Sequence, residues 1–197
     1  MTLVIALMVF VPMLVEALRS SRNERAQLAR GGIEPSGDAY ELMRIVYPAS
    51  FLMMIFEGGW RGATPVPLLV GGAVVFATAK LLKWWAILTL GQAWTFRVIV
   101  VPGARLVTGG PYRFFRHPNY IGVVGEFAGV TLMTGALVTG PVFTVAFLLL
   151  LCKRTAVEER TLRSFHSSAT SRSSRAESRD NTLRTVPGEA EERRAHR

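Results

Sequence analysis

Residues 119–152 form an unbroken stretch of 34 residues that carries a single charge, Glu126. As one helix at 1.5 Å per residue it would be ~51 Å long, against ~30 Å of hydrocarbon in a bilayer. It is too long for one crossing and too apolar for a solvated surface, so it has to fold back on itself. Gly135, Gly140 and Pro141 offer a turn near its middle. Two short paired spans, near 119–134 and 141–153, meet both limits. The stretch excludes an ordinary water-soluble enzyme and a wholly disordered chain.

Three more apolar segments precede it, near 2–18, 42–57 (broken by Pro48) and 65–82, which predicts five crossings. Lys80, Lys83, Trp84 and Trp85 are expected to mark an interface at the end of the third. Arg19, Arg22, Arg25 and Arg30 follow the first segment directly, and no small-residue cleavage site separates them from it. It reads as an uncleaved span rather than a signal peptide. The chain holds 23 Lys and Arg against 14 Asp and Glu, for a net charge of +9. Such a balance can signal nucleic acid, but here the basic residues gather after spans one, three and five. The loops 57–64 and 135–140 hold only Arg61. The positive-inside rule then puts the N-terminus outside and the loop 83–118 and the C-terminus in the cytoplasm. The expected fold is an all-α integral membrane protein of about five transmembrane helices, the last two forming a hairpin. The expected membrane domain is 1–163. Seven serines and alternating charges predict a disordered cytoplasmic tail over 164–197.

A lone cysteine, Cys152, excludes an internal disulfide and a multi-cysteine metal site, and reads as a buried thiol. No metal is expected. The loop and its entry into span four carry more: Gly110-Pro111-Tyr112-Arg113-Phe114-Phe115-Arg116-His117-Pro118-Asn119-Tyr120-Ile121-Gly122. Pro118 suits the first turn of a helix and biases His117 towards extended backbone. His117 would thus cap span four, where unpaired N–H groups favour an anion. Tyr112 and Tyr120 add aromatic faces able to hold a cation. A snorkelling aromatic-basic belt accounts for the same residues equally well. A second cluster, 153–162, puts Arg154 and Glu158 four apart on one helix face, as an exposed ion pair or as part of a site. The hairpin would return it beside His117. Gly125 and Gly129 have the small-xxx-small spacing of a helix contact. Glu126 between them is a functional candidate, or a side chain hydrogen-bonded inside the bundle. Trp94, Phe114 and Phe115 read as interfacial anchors, and His166 and His196 as solvated.

Together the two clusters resemble the isoprenylcysteine carboxyl methyltransferase family of integral membrane enzymes. Its pattern is Arg-His-Pro-x-Tyr-x-Gly, here 116–122, followed one helical hairpin later by Arg-x-x-x-Glu-Glu-x-x-Leu, here 154–162. The resemblance covers roughly residues 84–163, and 21–25 with 29–32 look like a bacterial branch. It implies a bacterial cytoplasmic-membrane protein with S-adenosylmethionine as methyl donor in a cytoplasmic pocket. The implied cofactor contacts are Arg105, Leu106, Val107, Tyr112, His117, Pro118, Asn119, Tyr120, Glu158 and Glu159. The implied catalytic set is Arg154, facing the acceptor, with Glu158 and His117. Departures are Ala156, where related sequences often have a second arginine, and the serine-rich run after Leu162 in place of an amphipathic aromatic segment. A zwitterionic sulfonium needs a carboxylate for its ammonium, N–H donors for its carboxylate and an aromatic wall for its sulfur. These two clusters offer all three.

The expected function is S-adenosylmethionine-dependent methyl transfer to a lipophilic acceptor from the bilayer. That acceptor is the carboxylate of a prenylated or lipid-like substrate, or the hydroxyl of an alkylpyrone or quinol lipid. No alternating strand–helix pattern with a glycine-rich turn points to a soluble methyltransferase. One alternative is a sterol-reductase-like enzyme using NADPH, which the paired glutamates disfavour because they would repel its phosphates. A non-catalytic scaffold whose basic faces bind anionic lipid is another.

Overall fold

The computed structural model describes residues 1–34, 39–104 and 107–156. Helix α1 (Thr2–Ala29) outruns its expected span because the segment after Leu18 keeps strong helix formers such as Arg22, Glu24 and Gln27. It stops only before Gly31, at φ 80. Helix α2 (Tyr40–Arg61) carries Pro48 inside it and ends at Gly62, at φ 99. Helix α3 (Val66–Leu90) follows Pro65 and ends at Gly91, at φ 55, in a 3-10 turn over Gly91–Ala93. A second 3-10 turn, Gly110–Arg113, precedes helix α4 (Pro118–Thr134), which Gly135 closes in the left-handed conformation. Helix α5 (Thr139–Ala156) completes the described chain. The described residues contain no strand, only an isolated antiparallel bridge between Ile33 and Val100.

By length and composition three helices can cross a membrane: Thr2–Ala29, Thr139–Ala156 and α3 with its 3-10 turn, Val66–Ala93. Helix α4, at 17 residues, and α2, with Glu41, Arg44, Glu57 and Arg61 near its ends, fall short of that measure. The outward side chains fit a lipid surround. Leu3, Leu7 and Leu14 of α1, Val74, Leu81 and Leu88 of α3, and Val142, Val145 and Leu149 of α5 are all exposed. Water would not tolerate so much apolar surface on one molecule; lipid tails are as apolar as leucine and do.

Inside, Phe51, Met54, Phe127, Val130 and Met133 are fully buried. The closest packing is between α3 and α4, where glycines let the backbones approach. A Cβ on Gly129 would lie 2.7 Å from Phe76, and one on Gly125 the same distance from Ala79. This is the contact that the Gly125/Gly129 spacing predicts. Tyr47 and Phe51 of α2, Phe127 of α4 and Phe147 of α5 form an aromatic box, with ring centroids 4.8–5.8 Å apart. Glu57 of α2 caps the start of α5. Its carboxylate accepts from the N–H groups of Val138 (3.1 Å) and Thr139 (2.7 Å) and from the Thr139 hydroxyl, and pairs with Arg61 at 2.6 Å.

Candidate functional site

The start of α4 has the local geometry that Pro118 dictates. Pro118 occupies the first turn and is buried, and His117 before it is the cap residue at φ −133 and ψ 66. The His117 carbonyl accepts from the N–H groups of Tyr120 (3.1 Å) and Ile121 (3.3 Å), while no side chain caps the helix. The His117 ring lies flat on the Tyr120 ring, centroids 5.1 Å apart and planes 10° from parallel. Asn119 beside them is half-buried, and its Oδ1 is shut away from solvent with no hydrogen-bond partner. Tyr112 lies in the preceding 3-10 turn, and Val107 is half-buried in the loop before it. Arg113 sits over Phe114, which is exposed together with Phe115, as interfacial anchors require.

Arg154 lies on α5, two turns beyond Phe147, with Leu151 between them. It is 9% exposed, and its Nε also lacks a hydrogen-bond partner. A buried polar atom left unpaired costs about 1–3 kcal/mol, so such atoms call for an explanation. Here one is an acceptor and one a donor, and both belong to residues that the sequence singled out. The structure therefore brings His117, Pro118, Asn119 and Tyr120 together at one helix start and buries Arg154. Arg105, Leu106, Glu158 and Glu159, like the expected tail, lie outside the described residues.

The largest polar feature is one that sequence reasoning misplaced. Lys80 and Lys83, expected at an interface, are buried within α3, which continues two turns past Leu82. They complete a quartet with Glu16 of α1 and Glu126 of α4. Lys80 Nζ lies 2.8 Å from Glu16 and 3.0 Å from Glu126; Lys83 Nζ lies 2.7 Å and 3.3 Å from the same two carboxylates. The Tyr47 hydroxyl donates to Glu126 Oε2 and accepts from Lys83 Nζ at 3.2 Å. Glu126 is thus hydrogen-bonded inside the bundle. A usable signal was present: two carboxylates in apolar segments require counter-charges, and Lys80 and Lys83, three apart, share a helix face.

Two smaller expectations also change. Trp94, read as an interfacial anchor, is 3% exposed. The polar second half of α1 draws it in: Asn23 Nδ2 donates to the carbonyls of Trp94 (2.7 Å) and Gly91 (3.0 Å), and Gln27 donates to that of Gln92. The Ser20 hydroxyl accepts from the Phe96 N–H at 2.7 Å. Arg97 then binds Glu34 and Glu41 and lies 4.8 Å from the centre of the Tyr40 ring. The Glu34 hydrogen bond holds its guanidinium above the ordinary arginine value, against partial burial. Cys152, read as buried, is exposed on α5.

Comparison with known proteins places these features. Residues 71–164 match the model of the isoprenylcysteine carboxyl methyltransferase (ICMT) family. An uncharacterized protein of Bacillus subtilis, YpbQ, is 30% identical over 163 residues, covering 83% of this chain and 96% of YpbQ. An uncharacterized protein of Haemophilus influenzae is 25% identical over 144 residues, covering 73% of this chain and 84% of its own length. A probable protein-S-isoprenylcysteine O-methyltransferase of Oryza sativa is 33% identical over 100 residues, 48% of this chain and 50% of that protein. No solved structure matches. With both motifs inside the matched segment and the helices those of a membrane protein, the chain belongs to the isoprenylcysteine carboxyl methyltransferase family.

Proposed function

We propose that this protein transfers a methyl group from S-adenosylmethionine to a lipophilic acceptor at the cytoplasmic face of a bacterial membrane. The observation that carries the reading is the pair of buried, unfilled polar atoms, Asn119 Oδ1 and Arg154 Nε, within the family-matched segment. Helices α4 and α5 are joined by a short turn and touch through Thr131 and Gly140 and through Phe127 and Phe147. Run side by side in opposite directions, they would return Arg154 to the level of Tyr120. With the five crossings that the sequence predicts, the Lys/Arg bias would put that end on the cytoplasmic side and the N-terminus outside.

The residues present suit the cofactor. Bound there, S-adenosylmethionine would supply an electrophilic methyl group on a sulfonium. Glu158, with Glu159 one residue on, would take its ammonium. The stacked His117 and Tyr120 rings, with Tyr112, offer the aromatic wall, and Arg105, Leu106 and Val107 with Pro118 and Asn119 the remaining contacts. Methyl transfer is a direct displacement, so alignment and exclusion of water do most of the catalysis. Arg154 orients an anionic acceptor. A carboxylate, the group that the family's name specifies, titrates near ~4 and needs no base. A phenol or enol does need one, and His117 or Glu158 would serve.

The test is calorimetric titration of the detergent-solubilised protein with S-adenosylhomocysteine, with reduced dinucleotide as control. S-adenosylhomocysteine should bind and the dinucleotide should not. Removing a buried charged partner costs ~2–5 kcal/mol, so Glu158→Gln should weaken binding ~30-fold or more. Glu159→Gln should matter less. Small, equal effects at both positions refute this cofactor placement.

A further inference from the structure

Methyl transfer as described leaves the quartet of Glu16, Lys80, Lys83 and Glu126 without a task. Its charges cancel, and each carboxylate touches both ammonium groups. It ties α1, which precedes the family-matched segment, to α3 and α4 within it. Tyr47 of α2, also outside that segment, is joined to the quartet twice, by hydroxyl and by ring. The hydroxyl bridges Glu126 and Lys83, and Lys83 Nζ lies 5.2 Å from the ring centre.

The same ring also packs against the candidate site's two helices. Tyr47 meets Phe127 of α4 at 5.8 Å and Phe147 of α5 at 5.2 Å between centroids. Phe127 is seven residues from Tyr120, and Phe147 is seven from Arg154. Seven residues are two helical turns, so each pair shares a face about 10 Å apart along its helix. One side chain therefore abuts the stem of both site-bearing segments, and a fixed ion cluster sets its orientation. Aromatic packing alone tolerates sliding and tilting, whereas a hydroxyl held between a carboxylate and an ammonium does not.

We infer that Tyr47 is a positioning residue: its hydroxyl, locked into the ion quartet, fixes the spacing of α4 and α5 and so the placement of His117–Tyr120 against Arg154. The inference rests on the cofactor-site reading above. It differs from a purely structural role in what it predicts for protein that is still folded.

The experiment titrates S-adenosylhomocysteine into solubilised wild type, Tyr47→Phe, Lys83→Met/Glu126→Gln, and the triple variant that adds Tyr47→Phe to that pair. The fitted stoichiometry reports the folded fraction, and the Kd reports the site in molecules that are folded. The double variant removes one charge of each sign and with them the carboxylate and the ammonium that hold the Tyr47 hydroxyl, so its Kd should rise as that of Tyr47→Phe does. Tyr47→Phe should raise Kd about fivefold or more, within the range by which residues of a packed network modulate a distant site. The triple variant, which also removes the two charges that Tyr47→Phe would leave facing a phenyl ring, should show the same rise, which keeps the comparison open if Tyr47→Phe alone does not fold. Lower stoichiometry or melting temperature with an unchanged Kd in the variants that carry Tyr47→Phe overturns the inference. No binding by the wild type overturns the cofactor reading, and this inference with it.

Discussion

Lys83→Met puts the buried quartet to a direct thermodynamic test. The Lys83 side chain is 2% exposed and its Nζ sits 2.7 Å from Glu16 and 3.3 Å from Glu126. At an effective dielectric of ~20 each contact represents ~5–6 kcal/mol of attraction. Desolvating the ammonium takes back several kcal/mol, so the intact quartet contributes little net stability. Removing one member is another matter. Methionine fills the volume but leaves two carboxylates with only Lys80, and stranding a buried charge costs about 3–5 kcal/mol. Glu126→Gln strands a positive charge and should cost a similar amount. In Lys83→Met/Glu126→Gln the pair Glu16–Lys80, at 2.8 Å, stays neutral by itself. The double variant should then cost under ~3 kcal/mol, for a coupling energy above ~3 kcal/mol, at the upper end of what contacting residues show. Reversible unfolding of all four proteins in mixed detergent micelles yields the cycle. Additivity within ~0.5 kcal/mol, the behaviour of independent sites, would mean that these charges are not paired as described.

Other expectations concern packing and orientation. Gly129→Val places side-chain atoms where a Cβ already meets Phe76 at 2.7 Å; it should force α3 and α4 apart at a cost of about 1–3 kcal/mol, and an unshifted melting temperature would count against the close approach. Glu57→Ala strips the first turn of α5 of its carboxylate cap, so stability should fall by about 1–2 kcal/mol, read by the same unfolding assay. With Cys152 replaced by serine, single cysteines introduced at Thr2 and at Ser178 should label from opposite sides of the membrane; labelling of both from the cytoplasm would refute the five-crossing orientation.

Much was legible from covalent sequence alone, because the bilayer leaves so few options. Every backbone polar group in hydrocarbon needs a partner within its own segment, so long apolar runs with few charges mean helices. Turn chemistry set the breaks: Gly62, Gly91 and Gly135 end three helices at positive φ, where a side chain would be strained. The same local logic put His117 at the cap of α4, since a proline fixes the backbone of its predecessor regardless of what lies around it.

Tertiary structure decided which face of each helix meets which neighbour, and that is where the reading fell short. Lys80 and Lys83 next to two tryptophans have the composition of a membrane interface, and nothing local distinguishes that from a buried pair. Their burial depends on Glu16 and Glu126, 64 and 43 residues away from Lys80 and Lys83 in the chain respectively, arriving at the same depth on two other helices. Trp94 likewise looked like an anchor until Asn23, on a helix 71 residues earlier, took its carbonyl. Helix periodicity reports that a face is apolar or polar, and short-range sterics report where a helix stops. Whether a charge is solvated or compensated is a property of what packs against it, and only the assembled bundle contains that information.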